Sequence, residues 1–280
     1  MMKIGGHVSA AGGIDLAVQR TLDISANCPQ IFITSPRQWR KTNITDDQIE
    51  RFKAGIKEYQ LDPVFIHGMY LANLASEDAD LLEKSIDAVA HGLIIADKIG
   101  AQGLIYHTGS RKDRDPDEAV AQVIKSMKEV LKRAAGGSSQ LIIEGSAGQK
   151  GAIGSFEELG AMRKGAGSDR VKICLDTCHA FAAGHDLVTP TGIKTMLAAF
   201  DRLIGLKHLV VIHANDSKFD MGQAKDRHEN IGQGKIGSAG FKALLHTPEL
   251  RKLPWLLEVP GETGEGPDTA NVQRLQELAS

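Results

Sequence analysis

The stretch that decides the fold is KICLDTCHAFAAGHD, residues 172–186. It opens on an apolar run, Ile173 to Leu175, and turns polar at Asp176, with His179 three residues further on. Carboxylates and imidazoles are seldom buried without a partner. Taken alone, the stretch is explained by a strand that runs out into a polar loop. Whether that explanation is sufficient depends on how the other apolar runs of the chain end.

Eight short apolar runs divide the chain, and segments with helical periodicity separate them. The runs cover residues 2–9, 30–35, 63–68, 103–109, 141–146, 172–177, 209–216 and 255–261. They are nearly continuous and do not alternate between apolar and polar residues. This pattern predicts strands of a parallel sheet that are buried on both faces.

Four of the intervening segments place apolar residues at helical spacing. In one of them the stripe includes Ile49, Phe52 and Tyr59, behind a capping box that starts at Thr45. Eight strands with intervening helices in this length predict a (β/α)8 TIM barrel, with residues 1–280 forming a single domain. A doubly wound open sheet is the competing architecture, but GGHVSAAGG lacks the GxGxxG spacing typical of its first turn.

Six consecutive runs, the third to the eighth, end in a histidine, an aspartate or a glutamate. These residues are His67, His107, Glu144, Asp176, His213 and Glu258, spaced 32 to 45 residues apart. In a (β/α)8 barrel the C-terminal ends of the strands meet at one mouth, where active sites lie. Six such residues at equivalent positions indicate one shared site rather than six separate core or rim residues.

Imidazoles and carboxylates without a thiolate are typical ligands of Zn²⁺ or Mn²⁺. His179 leaves the same strand end as Asp176, and Asp226 and His228 share one face of extended chain in the long loop 215–237. Nine candidate ligands suit two or three ions better than one tetrahedral ion. Closely spaced metals favour in-line displacement at phosphorus, so the pattern predicts phosphodiester hydrolysis.

The composition is that of an ordinary globular protein, with 42% hydrophobic and 24% charged residues. We find no apolar run long enough to span a membrane and no signal peptide, which predicts a cytoplasmic protein without a membrane partner. The three cysteines, Cys28, Cys174 and Cys178, are too few and too scattered for a disulfide framework. We therefore interpret them as packing residues.

A formal net charge of −2 is unusual for a nucleic-acid-binding protein. Basic residues nevertheless cluster in three segments that a barrel brings to the same mouth, where they form a plausible phosphate-contacting rim. These residues are Arg37, Arg40, Lys41, Arg111, Lys112, Arg114, Lys218, Lys225, Arg227 and Lys235.

Several longer strings are similar to segments of one known family. They are HVSAAGG at 7–13, RQW at 37–39, YLANLAS at 70–76, EGSAGQ at 144–149, DTCHAFAAGHDL at 176–187, DRHENIGQGKIG at 226–237 and EVPGETGEGPD at 258–268. Together they span the whole chain, and the DTCHAFAAG and DRHENIGQGKIG strings are highly specific. The sequence resembles the endonuclease IV family of apurinic/apyrimidinic (AP) endonucleases.

The resemblance implies a (β/α)8 barrel with a trinuclear zinc site, in which Mn²⁺ is an alternative at one or more positions. Its ligands fall into a first set (His67, His107, Glu144), a second set (Glu144, Asp176, His213, Glu258) and a third set (His179, Asp226, His228). Glu144 then bridges two ions and is the expected catalytic residue.

The activity that the resemblance implies is cleavage of the phosphodiester 5′ to an abasic site in double-stranded DNA, leaving a 3′-hydroxyl, together with trimming of blocked 3′ ends. Arg37, Tyr70 and Leu71 match the residues that family members insert into the DNA stack. We expect a monomer in base excision repair that uses no organic cofactor.

The sequence departs from the family pattern beside three expected ligands. Gly145-Ser146 stands where the family usually has Asn-Thr, Thr108 replaces a usual Pro, and Gly68-Met69 replaces a more polar pair. Substitutions next to metal ligands commonly alter metal affinity or rate.

Two alternatives remain open from the sequence. A single-metal sugar isomerase or epimerase on a related barrel would use Glu144, Asp176, His213 and Glu258 alone. The extra histidines and the DRH segment argue against it. The second alternative is a DNA-binding protein that has lost catalysis, which nothing in the ligand set supports.

Overall fold

A computed structural model describes residues 2–280, and its eight long strands close into a parallel barrel. The barrel strands are β1 (Ile4–Val8), β2 (Cys28–Phe32), β3 (Phe65–His67), β4 (Gly103–His107), β5 (Gln140–Glu144), β6 (Val171–Asp176), β7 (Leu209–His213) and β10 (Trp255–Leu257). β8 (Asp216–Ser217) and β9 (His228–Glu229) form a separate antiparallel pair. Each barrel strand pairs with the next in chain order, and β1 pairs with both β2 and β10. The prediction of a (β/α)8 TIM barrel is confirmed. That residues 1–280 form one domain stays a prediction.

Helices surround the barrel and follow most of its strands. They are α1 (Leu16–Asp23), α2 (Asp46–Glu58), α3 (Ala79–Ile99), α4 (Pro116–Arg133), α5 (Phe156–Ala166), α6 (Thr177–Ala182), α7 (Pro190–Leu203), α8 (Gly237–Leu245), α9 (Pro248–Arg251) and α10 (Thr269–Ala279), with a 3₁₀ turn at Leu206–His208. The predicted capping box is present, since Thr45 and Gln48 exchange side-chain and backbone hydrogen bonds at the start of α2. Among residues 2–280, no helix combines the length and the apolar character needed to cross a membrane.

The core has two parts. The larger part lies between the strands and the helices, whereas the smaller part fills the barrel interior. We call the interior part the apolar tier: Cys28, Phe65, Ile105, Ile142, Cys174, Val211 and Leu256, all fully buried. Each belongs to a different barrel strand, so the tier closes the barrel below its mouth.

Three local predictions need correction or refinement. Tyr59 does not belong to the buried stripe of α2: it caps the helix and is 48% exposed, because the chain turns away there. The second strand begins at Cys28 rather than Gln30, so Gln30 lies inside the strand. The long loop 215–237 contains the β8–β9 pair, which gives it an ordered core.

Candidate metal centre

The predicted ligands lie together at the C-terminal mouth of the barrel. Five of them are the last residues of β3 to β7, and Glu258 follows β10 directly. Three groups of residues whose ligand atoms lie within 4.8 Å of one another coincide with the first, second and third sets. The structure therefore brings all nine residues into the predicted groups, and their role as ligands stays a prediction.

Glu144 joins the first and second sets. Its Oε2 atom lies 3.3 Å from Nε2 of His67 and 3.4 Å from Nε2 of His107. Its Oε1 atom lies 3.1 Å from Nδ1 of His213. Burial opposes the charged form of Glu144, but His107 and His213 outweigh it and hold its pKa well below the usual range. The carboxylate thus stays ionised, with one oxygen toward each set, as a bridging ligand requires.

The surroundings of Asp176 explain why the apolar run 173–175 is followed by a carboxylate. Its side chain caps α6 by accepting a hydrogen bond from the His179 N–H at 2.8 Å, and it also accepts one from Asn215 Nδ2 at 2.6 Å. The residue is buried, and β6 passes directly into α6 rather than into a polar loop. Asp176 therefore belongs to the second set, and its hydrogen bond to the His179 N–H positions His179 for the third set.

The distances and the burial of the third set suit a bound cation. Nε2 of His179 and Nε2 of His228 lie 3.2 Å and 3.4 Å from Oδ1 of Asp226. Both nitrogen atoms are buried, and neither makes a well-formed hydrogen bond within residues 2–280. Buried polar atoms are normally satisfied. A divalent cation between these three side chains would satisfy both nitrogens, and imidazole with carboxylate is a donor set that Zn²⁺ accepts.

The loop that carries Asp226 and His228 is held by one buried carboxylate. Asp216, at the start of the loop, accepts hydrogen bonds from the backbone N–H groups of Gly232, Gly234, Ile236 and Gly237. The pairing of β8 with β9 fixes the other side of the loop and places His228 opposite Ser217. The third set therefore depends on loop geometry, whereas the first two depend on barrel strands.

The comparisons with known proteins agree with this geometry. A model of the family described as xylose isomerase-like TIM barrel matches residues 18–279. A protein of Methanoculleus marisnigri named probable endonuclease 4 is 37% identical, over 100% of this chain and 99% of its own length. A protein of Aquifex aeolicus with the same name is 36% identical, over 98% and 97%. The crystal structure of endonuclease IV from Thermus thermophilus superimposes with a TM-score of 0.86, at 32% identity, covering 99% of this chain and 98% of that one.

The chain belongs to the endonuclease IV family. The predicted family is thereby confirmed. A D-tagatose 3-epimerase-like protein also superimposes, with a TM-score of 0.74 over 99% of this chain and 95% of that one, but at 15% identity it shows only that the barrel is shared.

Two of the departures from the endonuclease IV pattern contact the ligands through the main chain. The Gly68 carbonyl lies 2.8 Å from Nδ1 of His67, and the Gly145 carbonyl lies 3.0 Å from Nδ1 of His179. The third departure, Thr108, donates its hydroxyl to the Ile153 carbonyl at 3.0 Å. The side chains changed at positions 68 and 145 are therefore not the groups that orient these imidazoles.

The residues matched to DNA insertion in the endonuclease IV family are exposed beside the site. Tyr70 is 52% exposed and Leu71 is 37% exposed, which is unusual for large apolar side chains. Arg37 is also exposed, and its loop is joined to theirs by a hydrogen bond from the Tyr70 N–H to the Pro36 carbonyl. An open cavity of about 580 Å³ is lined by Tyr70, by His107 of the first set, by the whole third set and by Glu258.

The basic rim is only partly available for DNA. Lys41 pairs with Asp87, Lys235 pairs with Asp220, and Arg114 pairs with Glu77.

The interpretation of the cysteines as packing residues agrees with their surroundings. Burial raises the pKa of both Cys174 and Cys178 to about 12, which favours the protonated thiol of a packing residue.

Sequence reasoning missed two polar residues that contact the ligands, Gln30 and Asn215, and interpreted His7 only as a possible rim residue. Asn215 donates to Asp176 and accepts from the Glu258 N–H at 2.8 Å. His7 lies outside the predicted ligand pattern, but its Nδ1 lies 3.3 Å from Oε1 of Glu258. Gln30 is fully buried in the barrel. Gln30 could have been recognised as a polar residue inside an otherwise apolar strand. The predicted strand began at residue 30, so Gln30 lay at its start rather than inside it.

Proposed function

We propose that this protein is a zinc-dependent AP endonuclease of base excision repair. It hydrolyses the phosphodiester 5′ to an abasic site in double-stranded DNA, leaves a 3′-hydroxyl and trims blocked 3′ ends. The observation that carries this proposal is the presence of three ligand sets, two of them joined by Glu144, at the mouth of an endonuclease IV family barrel. We further propose that the chain acts as a monomeric single domain, without an organic cofactor.

The donor atoms favour Zn²⁺, with Mn²⁺ as an alternative at one or more positions, because the nine residues offer only imidazole and carboxylate groups. Divalent ions bound there supply charge neutralisation for the transferring phosphate and lower the pKa of the attacking water. The first set is held by strands β3, β4 and β5, and the second set by β5, β6, β7 and the residue after β10. Rigid strands fix these side chains before the substrate arrives.

Glu144 is the proposed catalytic residue. Its carboxylate is ionised and buried between two ligand sets, with Nε2 of His67 3.3 Å from Oε2 and Nδ1 of His213 3.1 Å from Oε1. It can therefore receive a proton from a water molecule that is placed for attack on the phosphorus. His67 and His213 flank the two oxygens of this carboxylate.

Recognition of the abasic site is assigned to Arg37, Tyr70 and Leu71. Extruding a nucleotide costs least where base pairing is already lost, so an abasic site is the easiest position to open. The exposed Tyr70 and Leu71 side chains can fill the gap that is left in the stack. Tyr70 lies edge-on against His67, with ring centroids 5.7 Å apart, so the inserted side chain adjoins the first set.

The sugar isomerase alternative has a specific weakness. A single-metal enzyme of that kind would need only the second set. The isomerase alternative does not explain why the third set is present, with the buried nitrogens of His179 and His228 close to Asp226. Elemental analysis separates the two functions, since about three zinc ions per chain support the nuclease and one ion supports the isomerase.

A nicking assay tests the proposed function directly. We expect the zinc-loaded protein to cut a duplex at a single abasic site and to leave an end that a DNA polymerase extends, while an intact duplex of the same sequence stays uncut. A strong chelator should abolish the activity. Full activity after complete removal of the metal, or no cleavage of the abasic duplex, would contradict the proposal.

A further inference from the structure

Above the apolar tier, the barrel interior contains a second layer of side chains, which are polar. Each residue of the apolar tier is followed, two positions later in the chain, by a polar residue at the mouth, on the same strand in six cases and directly after β10 for Glu258. Side chains two apart on a strand point to the same face. Gly5 and His7 of β1 continue the pattern, because a Cβ at Gly5 would lie 2.7 Å from Sγ of Cys28, a member of the apolar tier. The resulting polar tier is His7, Gln30, His67, His107, Glu144, Asp176, His213 and Glu258.

Six members of the polar tier are proposed ligands, and Gln30 is the amide among the remaining two. It is fully buried, and its Oε1 atom accepts a hydrogen bond from Nε2 of His213 at 2.8 Å. Its Nε2 group donates to Oε1 of Glu258 and lies 3.0 Å from Nδ1 of His7. One amide therefore contacts two members of the second set, one at the end of β7 and the other directly after β10.

These contacts fix which nitrogen of His213 is available to a metal. Because Oε1 of Gln30 can only accept, the proton of His213 lies on Nε2. The lone pair of Nδ1 then faces Oε1 of Glu144 at 3.1 Å and Oε2 of Glu258 at 3.5 Å. The partner of the other ring nitrogen commonly sets both the tautomer and the ring orientation of a metal-bound histidine.

The second set differs from the other two in how its histidine is oriented. Main-chain carbonyl groups contact Nδ1 of His67, His179 and His228, at 2.8 Å, 3.0 Å and 3.0 Å. No side-chain substitution removes those carbonyls. His213 relies on the Gln30 side chain instead, so one mutation can change its orientation.

We infer that Gln30 is a positioning residue for the second metal: it sets the tautomer of His213 and turns Glu258 toward the same ion. This inference rests on the proposed function, since it requires that the second set binds a divalent cation. It predicts that losing the amide weakens one ion selectively and leaves the ion of the third set in place.

The test compares Gln30→Met, which keeps the length and removes the amide, with Gln140→Met. Gln140 starts β5 at the opposite end of the barrel and contacts only the Gln102 side chain through its own amide. Each zinc-loaded protein is equilibrated with increasing concentrations of a chelator, and the zinc retained per chain is measured by elemental analysis. Cobalt(II) loading gives a second readout, because its visible absorption reports the coordination geometry.

We expect Gln30→Met to release one ion at about tenfold to hundredfold less chelator than the wild type, in line with losses seen for residues that support metal ligands. The remaining ions should be released as in the wild type, and Gln140→Met should be unchanged. The cobalt spectrum of Gln30→Met should lose the contribution of one site. If Gln30→Met does not fold, Gln30→Asn keeps a buried amide one methylene too short to reach both partners, and the same selective loss is expected.

Two outcomes would overturn the inference. One is simultaneous release of all ions at the wild-type chelator concentration, and the other is equal weakening of every ion. Failure of the proposed function looks different, because the wild-type protein itself would then bind no zinc or would fail to cut abasic DNA.

Discussion

The apolar tier and the polar tier lie in the same barrel interior, two residues apart along each strand, yet they have opposite requirements. The apolar tier stabilises the fold by excluding water from side chains such as Phe65 and Ile142. The polar tier buries Glu144, Asp176 and His213, which are unfavourable there without compensation. The comparison indicates that stability and activity are separated along the strand direction, as expected for a barrel whose active site lies at the C-terminal face.

The largest expected effect is on the polar tier. Glu144→Gln keeps the shape of the side chain but removes the charge that faces the first and second sets. We expect the rate of abasic-site cleavage to fall by about 10²- to 10⁴-fold, the usual contribution of a group that transfers a proton in the transition state. Single-turnover nicking kinetics measure this loss.

Glu277→Gln is the matched control, because Glu277 is exposed on α10, away from the ligand sets. It should cut abasic DNA at the wild-type rate. A near-native rate for Glu144→Gln would show that its assigned catalytic role is wrong.

The second prediction concerns the apolar tier. Ile142 lies two residues before Glu144 on β5 and is fully buried. Ile142→Ala should lower the free energy of unfolding by about 2–5 kcal/mol, because it leaves a cavity in a packed interior. The zinc content per chain of the folded protein should not change. Denaturant titration and elemental analysis measure the two quantities separately. Loss of zinc from the folded variant would show that the tiers are not independent.

Much of this separation was predictable from the sequence. Apolar runs that end in His, Asp or Glu, such as the one that ends at Glu144, indicate both the barrel and the mouth, because the period of a strand and the topology of a barrel place them there. The contacts of Gln30 and Asn215 were not predictable in the same way. Each joins residues that are far apart in the chain, such as Gln30 with His213, and only the closed barrel brings them within hydrogen-bond distance. The exposure of Tyr59 was missed because periodicity does not show where a helix ends.

The third prediction compares the ligand sets held by strands with the set held by a loop. Asp216→Asn replaces a carboxylate oxygen that accepts backbone hydrogen bonds with an amide nitrogen that cannot accept them. We expect local destabilisation of the loop by about 1–3 kcal/mol, the cost of leaving a buried polar group unsatisfied. Limited proteolysis should then cut residues 218–235 faster than in the wild type, and the third set should lose its ion first.

The wild-type protein provides the control for that experiment. Zinc should protect the same loop from protease, because Asp226 and His228 lie within it. Equal cutting with and without zinc would show that the third ion does not order the loop.

The smallest expected effect concerns the exposed edge of the mouth, where Arg37 lies beyond the polar tier. If Arg37 enters the gap left by the missing base, Arg37→Ala should weaken binding to abasic duplex by about 1 kcal/mol, the lower end for one side-chain contact to DNA. Binding to intact duplex should change less, because no gap is present. Arg251→Ala is the control, since Arg251 ends α9 just before β10, at the opposite end of the barrel. Equilibrium binding at two salt concentrations distinguishes the roles of Arg37. An equal loss on both duplexes, together with a weaker salt dependence, would make it a phosphate contact instead.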